Sequence, residues 1–113
     1  MKSLNNLDLY LNYPPEELVI VDELTDVDAG LHPAYYAMTK DGKIIVSTSA
    51  RSIINKYFIP LERNPDWKAV QNVQFYKSWE TIDKRVHRLK PFESIDVKDR
   101  KMTFFPTWQN KDV

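Results

Sequence analysis

Polar and apolar residues alternate across positions 5–13, with Leu7, Leu9 and Leu11 on one side, which predicts a strand, with a short helix as the alternative. Pro14-Pro15 ends that segment, because proline restricts both itself and its predecessor. Leu18 to Leu24 is rich in β-branched residues and reads as one buried strand. Ala34 to Thr39 and Lys43 to Ser47 read as two strands joined by Asp41-Gly42, a pair that accepts the positive φ a tight turn demands. Ser47, Thr48 or Ser49 is placed to cap a helix carrying Ile53, Ile54, Tyr57 and Phe58 on one face. A short helix is expected from Asp66 through Trp67, Val70 and Val73. A second amphipathic helix is expected over Trp79 to Leu89, with Trp79, Ile82, Val86 and Leu89 as its apolar face and Pro91 as its stop. A last hairpin runs from Ser94 to Val97 and from Lys101 to Phe105, turning at Lys98-Asp99-Arg100.

These elements predict an α+β fold: a mainly antiparallel sheet of hairpins with two or three helices packed on one face. Residues 1–113 read as a single domain, with 1–17 an N-terminal arm or edge strand and 109–113 a frayed tail. Apolar residues at 42% support a folded core rather than disorder. Lysine plus arginine and aspartate plus glutamate balance at 16 each, which gives no general drive toward nucleic acid or an anionic membrane. No apolar run is long enough to span a bilayer, and no signal peptide is evident, so a cytoplasmic protein is expected. The absence of cysteine excludes disulfides, thiolate metal sites and a cysteine nucleophile. Gly30 and Gly42 are the only glycines and cannot build a phosphate-cradling loop, so no nucleotide cofactor is expected.

The pattern Asp28-x-Gly30-x-x-Pro33-x-Tyr35-Tyr36, followed by the Asp41-Gly42 turn and by Val46-Ser47 running into Ser49 to Ile54, resembles the asparagine synthetase family. The likeness is to the glutamine-amidotransferase-type (Ntn) domain at that family's N-terminus. Trp79 to Pro91 and Thr103 to Trp108 resemble later blocks of the same domain, so the resemblance extends over residues 18 to 108. It implies a partial Ntn-like fold. Active relatives begin with a catalytic cysteine, where this chain has Lys2. The oxyanion-hole Asn-Gly is missing, the ATP-pyrophosphatase half is absent, and Phe92 replaces the glycine expected after Pro91. The resemblance therefore implies a shrunken, non-catalytic relative or half of a split protein.

Three clusters carry candidate chemistry. Asp26, Asp28 and His32, with Asp22 and Glu23 nearby, offer oxygen and imidazole ligands for a small molecule or cation, although the spacing fits no EF-hand. A small-molecule or metal-binding enzyme is accordingly the alternative function, with a solvated acidic loop as the plainer reading. Lys84, Arg85, His87, Arg88 and Lys90 are basic, but neighbouring acids dilute them, so no nucleic-acid partner is expected. Tyr57, Phe58, Phe75, Tyr76, Trp79 and Trp108 are more aromatic surface than a chain of this size readily buries. They are the candidate partner-binding residues, for a second copy of the chain or a separate synthetase-type chain. The first expectation is thus a non-catalytic Ntn-like interaction domain with no metal, no cofactor and no catalytic residue.

Overall fold

Tyr35–Met38 (β4) and Ile44–Ser47 (β5) form the expected hairpin, pairing Tyr35 with Ser47 and Met38 with Ile44. The computed structural model describes residues 2–65 and 80–106. The helix expected from Asp66 to Val73 lies outside them. The remaining elements are Ser3–Asn5 (β1), Asn6–Asn12 (α1), Val19–Val21 (β2), Glu23–Thr25 (β3), Ala50–Tyr57 (α2), His87–Arg88 (β6), Glu93–Lys98 (β7) and Lys101–Pro106 (β8). The fold is α+β and mostly antiparallel, with β1 and β3 as the parallel pair among the described strands.

The strands form two four-stranded sheets, not the single sheet expected: β1-β3-β7-β8 and β2-β5-β4-β6. The reason lies at Asp22. Val19 and Val21 are buried in the second sheet, yet Leu24, not Glu23, is buried in the first. The period-2 pattern slips by one residue where the chain changes sheets. The Asp22 carboxylate accepts a 2.9 Å hydrogen bond from the Lys2 backbone N–H, its own N–H donates to Lys2 O, and its carbonyl accepts from Val97. The run from Leu18 to Leu24 is therefore two strands.

Leu9, Val19, Val21, Leu24, Tyr36, Ile44, Val46, Leu89 and Ile95 form the core between the sheets. Burying a large apolar side chain contributes about 1.5–3 kcal/mol, so this layer is the main source of stability. Ile53 and Ile54 of α2 pack with Ala37, Ile45 and Val86 on the outer face of the second sheet. The two helices thus do not share one face: α2 lies outside the sandwich, whereas Leu9 of α1 enters the inter-sheet core. Ser49 caps α2 by accepting from the Ser52 N–H, as its position predicts.

Residues 6–12 are helical rather than extended because Asn5 caps them. Its side-chain oxygen accepts from the Asp8 N–H at 2.8 Å, and its amide donates to the Asp8 carboxylate at 3.0 Å. The leucine alternation misleads here, since Leu9 is buried and Leu11 exposed. The helix expected over Trp79–Leu89 is replaced, within the described residues, by a Glu80–His87 bridge, an Arg63–Asp83 bridge and β6. Thr81 and Asp83 compete for the backbone. The Thr81 hydroxyl lies 2.9 and 2.8 Å from the carbonyls of Asp83 and Val86, and the Asp83 carboxylate accepts from the N–H groups of Arg85 and Glu62.

The β7–β8 hairpin turns as expected, through Asp99 and Arg100 at φ of 52° and 63°. That turn presses on the other hairpin at Gly42, whose φ is 78°. A Cβ there would stand 2.6 Å from Arg100 Cγ and 3.0 Å from Arg100 Cα. Gly42→Ala therefore meets backbone strain and a clash together. It is expected to cost about 2 kcal/mol and to lower the melting temperature by about 10 °C. An unchanged melting curve would show that the two hairpins do not touch.

Candidate functional site

Asp26, Asp28 and His32 are brought together, as the sequence analysis anticipated, but around a residue it did not single out. Asn6, fully buried at the start of α1, points its side-chain amide at Asp26 Oδ1 (3.0 Å), Asp28 Oδ1 (2.6 Å) and the His32 carbonyl (3.0 Å). Its carbonyl oxygen accepts from the Val27 N–H at 2.9 Å. Asp26 Oδ1 also accepts from the Gly30 N–H, and Asp26 Oδ2 accepts from the Phe92 N–H at 2.7 Å. Asp28 Oδ2 takes the His32 Nδ1–H at 2.5 Å. Burial acts to raise the Asp28 pKa, but the hydrogen bonds from His32 and Asn6 outweigh it and hold the carboxyl below the usual 3.8. All four carboxylate oxygens are engaged internally, so a bound cation would have to displace bonds already made. Among the described residues no group of three His, Cys, Asp or Glu side chains is arranged to hold a metal ion. The arrangement is a polar knot that fastens the 26–32 loop to α1 and to β7.

The knot carries an apolar rim. Tyr10 packs against the His32 ring at a 45° tilt, with centroids 4.5 Å apart, and it is 56% exposed. Leu11, Val27, Leu31 and Phe92 are exposed beside it, Leu31 at 75%. Phe92 holds a left-handed φ of 57°, a conformation that costs a bulky residue about 1–2 kcal/mol. Its N–H contact to buried Asp26 fixes that backbone.

Of the candidate partner-binding aromatics, Tyr57 is exposed at the end of α2. Phe58 is half-buried under the Arg85 guanidinium, 4.6 Å from its ring centroid. Phe75, Tyr76, Trp79 and Trp108 lie outside the described residues. The basic run is not a free cationic face: Lys84 and Arg85 pair with Glu62, Arg85 also with buried Asp83, and His87 with Glu80.

The chain matches no family model, no curated protein and no solved structure. Its function must therefore be argued from geometry.

A second constellation escaped the sequence analysis. Between the edge strands β6 and β8 an open cleft of about 440 Å³ is lined by Tyr36, Glu80, His87, Arg88, Lys90, Glu93, Met102 and Phe104. His87 Nδ1 lies 3.0 Å from both carboxylate oxygens of Glu80. The Tyr36 ring contacts those of His87 (5.6 Å) and Phe104 (6.3 Å). Burial, then the negative charges of Glu93 and Glu80, push the Tyr36 phenol above its usual 10.0, so it stays neutral. Nothing local in the sequence joins residues 36, 80, 93 and 104. A helical reading of 79–89 also hid the pairing of Glu80 with His87.

Proposed function

We propose that this domain acts by binding another chain rather than by catalysis. The reading is a non-catalytic, partial Ntn-like interaction module that self-associates or docks on a separate ATP-dependent amide-forming chain. One observation carries it: Tyr10, Leu11, Val27, Leu31 and Phe92 stand exposed on segments tied together by a buried polar knot, which holds the backbone N–H groups of Val27 and Phe92 directly. A rigid apolar surface loses little conformational entropy on association, which is what an interface needs. Keeping an exposed phenylalanine where glycine would be unstrained is the mark of a side chain retained for contact.

The Ntn-like part of the reading draws support from two stacked sheets with α2 on one outer face. The other outer face presents polar residues such as Glu23, Thr25, Asp96 and Thr103, with a Thr25–Ser94 hydroxyl contact at 2.6 Å. It offers little apolar surface for a second helical layer. The synthetase-type partner and the cytoplasmic setting rest on the resemblance of residues 28–55 and on composition. No described helix is long and apolar enough to cross a membrane.

Sedimentation of the purified chain tests the proposal. The wild type is expected to dimerise, or to bind an added ATP-pyrophosphatase-type chain, at or below about 100 μM. Leu31→Asp should leave stability within about 0.5 kcal/mol, because the residue is exposed, and weaken association about tenfold or more. Association that survives Leu31→Asp and Phe92→Asn unchanged, or a wild type that stays alone in both experiments, would end this reading.

A further inference from the structure

We propose that the groove between the C-terminal end of α1 and β4 binds a proline-rich segment of a partner protein, in the extended polyproline II form and with a basic residue beside it. The groove shares Tyr10 and Leu11 with the apolar surface described above, and the inference does not rest on self-association. It is an open cleft of about 720 Å³ whose lining holds no charged residue. Three tyrosines, Tyr10, Tyr13 and Tyr35, and three prolines, Pro14, Pro15 and Pro33, line it. Each ring is held by the fold. Tyr10 packs against His32, Tyr13 against the inter-sheet core, and Tyr35 against the cluster that α2 forms on the second sheet. Rings already fixed in this way lose little freedom when a ligand arrives.

The occupant follows from the polar atoms that the groove has left to offer. The Pro14 carbonyl accepts from the Glu17 N–H at 3.0 Å, the Pro15 carbonyl accepts from the Ser47 hydroxyl at 2.8 Å, and proline has no N–H. Those residues therefore present no backbone edge to which a strand could be added. The hydroxyls of Tyr10, Tyr13, Tyr35 and Thr48 make no hydrogen bond among the described residues, and each can donate one. A polyproline II segment is their complement. It has no internal hydrogen bonds, its proline carbonyls only accept, and its pyrrolidine rings lie against aromatic faces. An amphipathic helix, by contrast, keeps most of its carbonyls for its own backbone. Charge then sets what stands beside the prolines. Glu16 and Glu17 are exposed in the turn that begins at Pro14, with no ion pair among the described residues. Lys2, 5.9 Å from the Tyr13 ring centroid, is a single cation against these two acids. Their field favours a lysine or arginine next to the proline run and disfavours an acid.

Fluorescence anisotropy of the full chain with labelled hexaproline carrying one arginine, placed at either end in two separate peptides, tests the assignment. At least one of the two should bind saturably. A glycine-serine peptide of the same length and charge should bind at least about tenfold more weakly, because it must give up freedom that proline lacks already. Glutamate in place of the arginine should weaken binding about threefold in low salt, the scale of an exposed charge contact. Tyr10→Ala removes a largely exposed ring and should weaken the peptide about tenfold, with the melting temperature lowered by no more than about 3 °C. Thr48→Val keeps the shape, loses one hydroxyl and should cost about threefold. Changing Glu16→Gln and Glu17→Gln together should erase the preference for arginine over glutamate. Leu31→Asp lies outside the groove and should leave peptide affinity unchanged, so this proposal and the self-association reading fail separately. Absence of saturable binding by both arginine peptides, equal binding of the glycine-serine or glutamate peptide, or wild-type affinity in both Tyr10→Ala and Thr48→Val overturns the proposal. So does self-association that Tyr10→Ala abolishes while no peptide binds, which would give the groove to a second copy of the chain.

Discussion

Asn6→Leu is expected to remove about 3–5 kcal/mol of stability, a large share of the 5–15 kcal/mol a domain of this size has in all. The size of the effect follows from what the leucine leaves behind. Asp26 and Asp28 each lose an amide donor, the Val27 N–H loses its acceptor, and Asp26 is 98% buried, since only 2% of it is exposed. Uncompensated carboxylates away from water cost far more than the hydrogen bonds they had made. In urea the midpoint should fall by about 2–3 M, given a slope of about 1.5 kcal/mol/M for a chain this long. Leu9→Ala is the matched comparison. It removes a fully buried side chain from the same helix and should cost about 2–5 kcal/mol through a cavity, without uncovering any charge. If Asn6→Leu costs under about 1 kcal/mol, the knot is not a strut and its carboxylates find water instead.

Asp83→Ala should cost about 2–3 kcal/mol. The Asp83 side chain is fully buried and accepts from the N–H groups of Glu62 and Arg85 and from the Arg85 guanidinium, with its Oδ2 2.7 Å from Nη2. Because the Arg85 side chain is 30% exposed, part of the ion-pair energy is screened, and the lost N–H acceptor weighs as much as the lost charge. Asp83→Asn keeps one oxygen for the backbone and should cost roughly half as much. Burial acts to raise the Asp83 pKa, but Arg85 and the two N–H groups bring it below 3.8. Asp28 is lowered likewise. A carboxylate whose folded pKa is depressed binds its proton more readily when unfolded. Its stabilisation is therefore complete above the unfolded value of 3.8 and disappears as pH falls through the folded one. Stability from these two groups should be flat near neutrality and decline below about pH 4, and Asp83→Asn should make that decline shallower. An identical acid limb in wild type and variant would contradict this account.

The hairpins and the Ser49-capped helix were legible because local chemistry decides them: Asp41-Gly42 for one turn, two strand-forming runs around Asp99 for the other. The change of sheet at Asp22 was not, because Leu18 to Leu24 is rich enough in β-branched and apolar residues to read as one strand. Its local sign is the Asp22-Glu23 pair, and Asp22 is satisfied by Lys2, 20 residues away. The Asn5 cap was missed, because the leucine alternation over 5–13 points to a strand. The Asp26, Asp28 and His32 cluster was visible as composition. Its role depended on Asn6 and the Phe92 N–H, which no spacing rule connects to it. The cleft depends wholly on how β6 and β8 come to face one another.

The crossing at Asp22 has a consequence for how the chain acquires its structure. Strands from the first 25 residues serve both sheets, and the first sheet gains β7 and β8 only from residues 93–106. A nascent chain that has not yet delivered residue 92 leaves Leu24 without Ile95 and Asp26 without the Phe92 N–H. Such interleaved, long-range pairing belongs to slow-folding topologies, where loop closure precedes any reward in contacts. During synthesis the apolar inter-sheet layer is therefore exposed until the last hairpin emerges, and that interval is when the chain is most open to proteolysis or to holding by a chaperone.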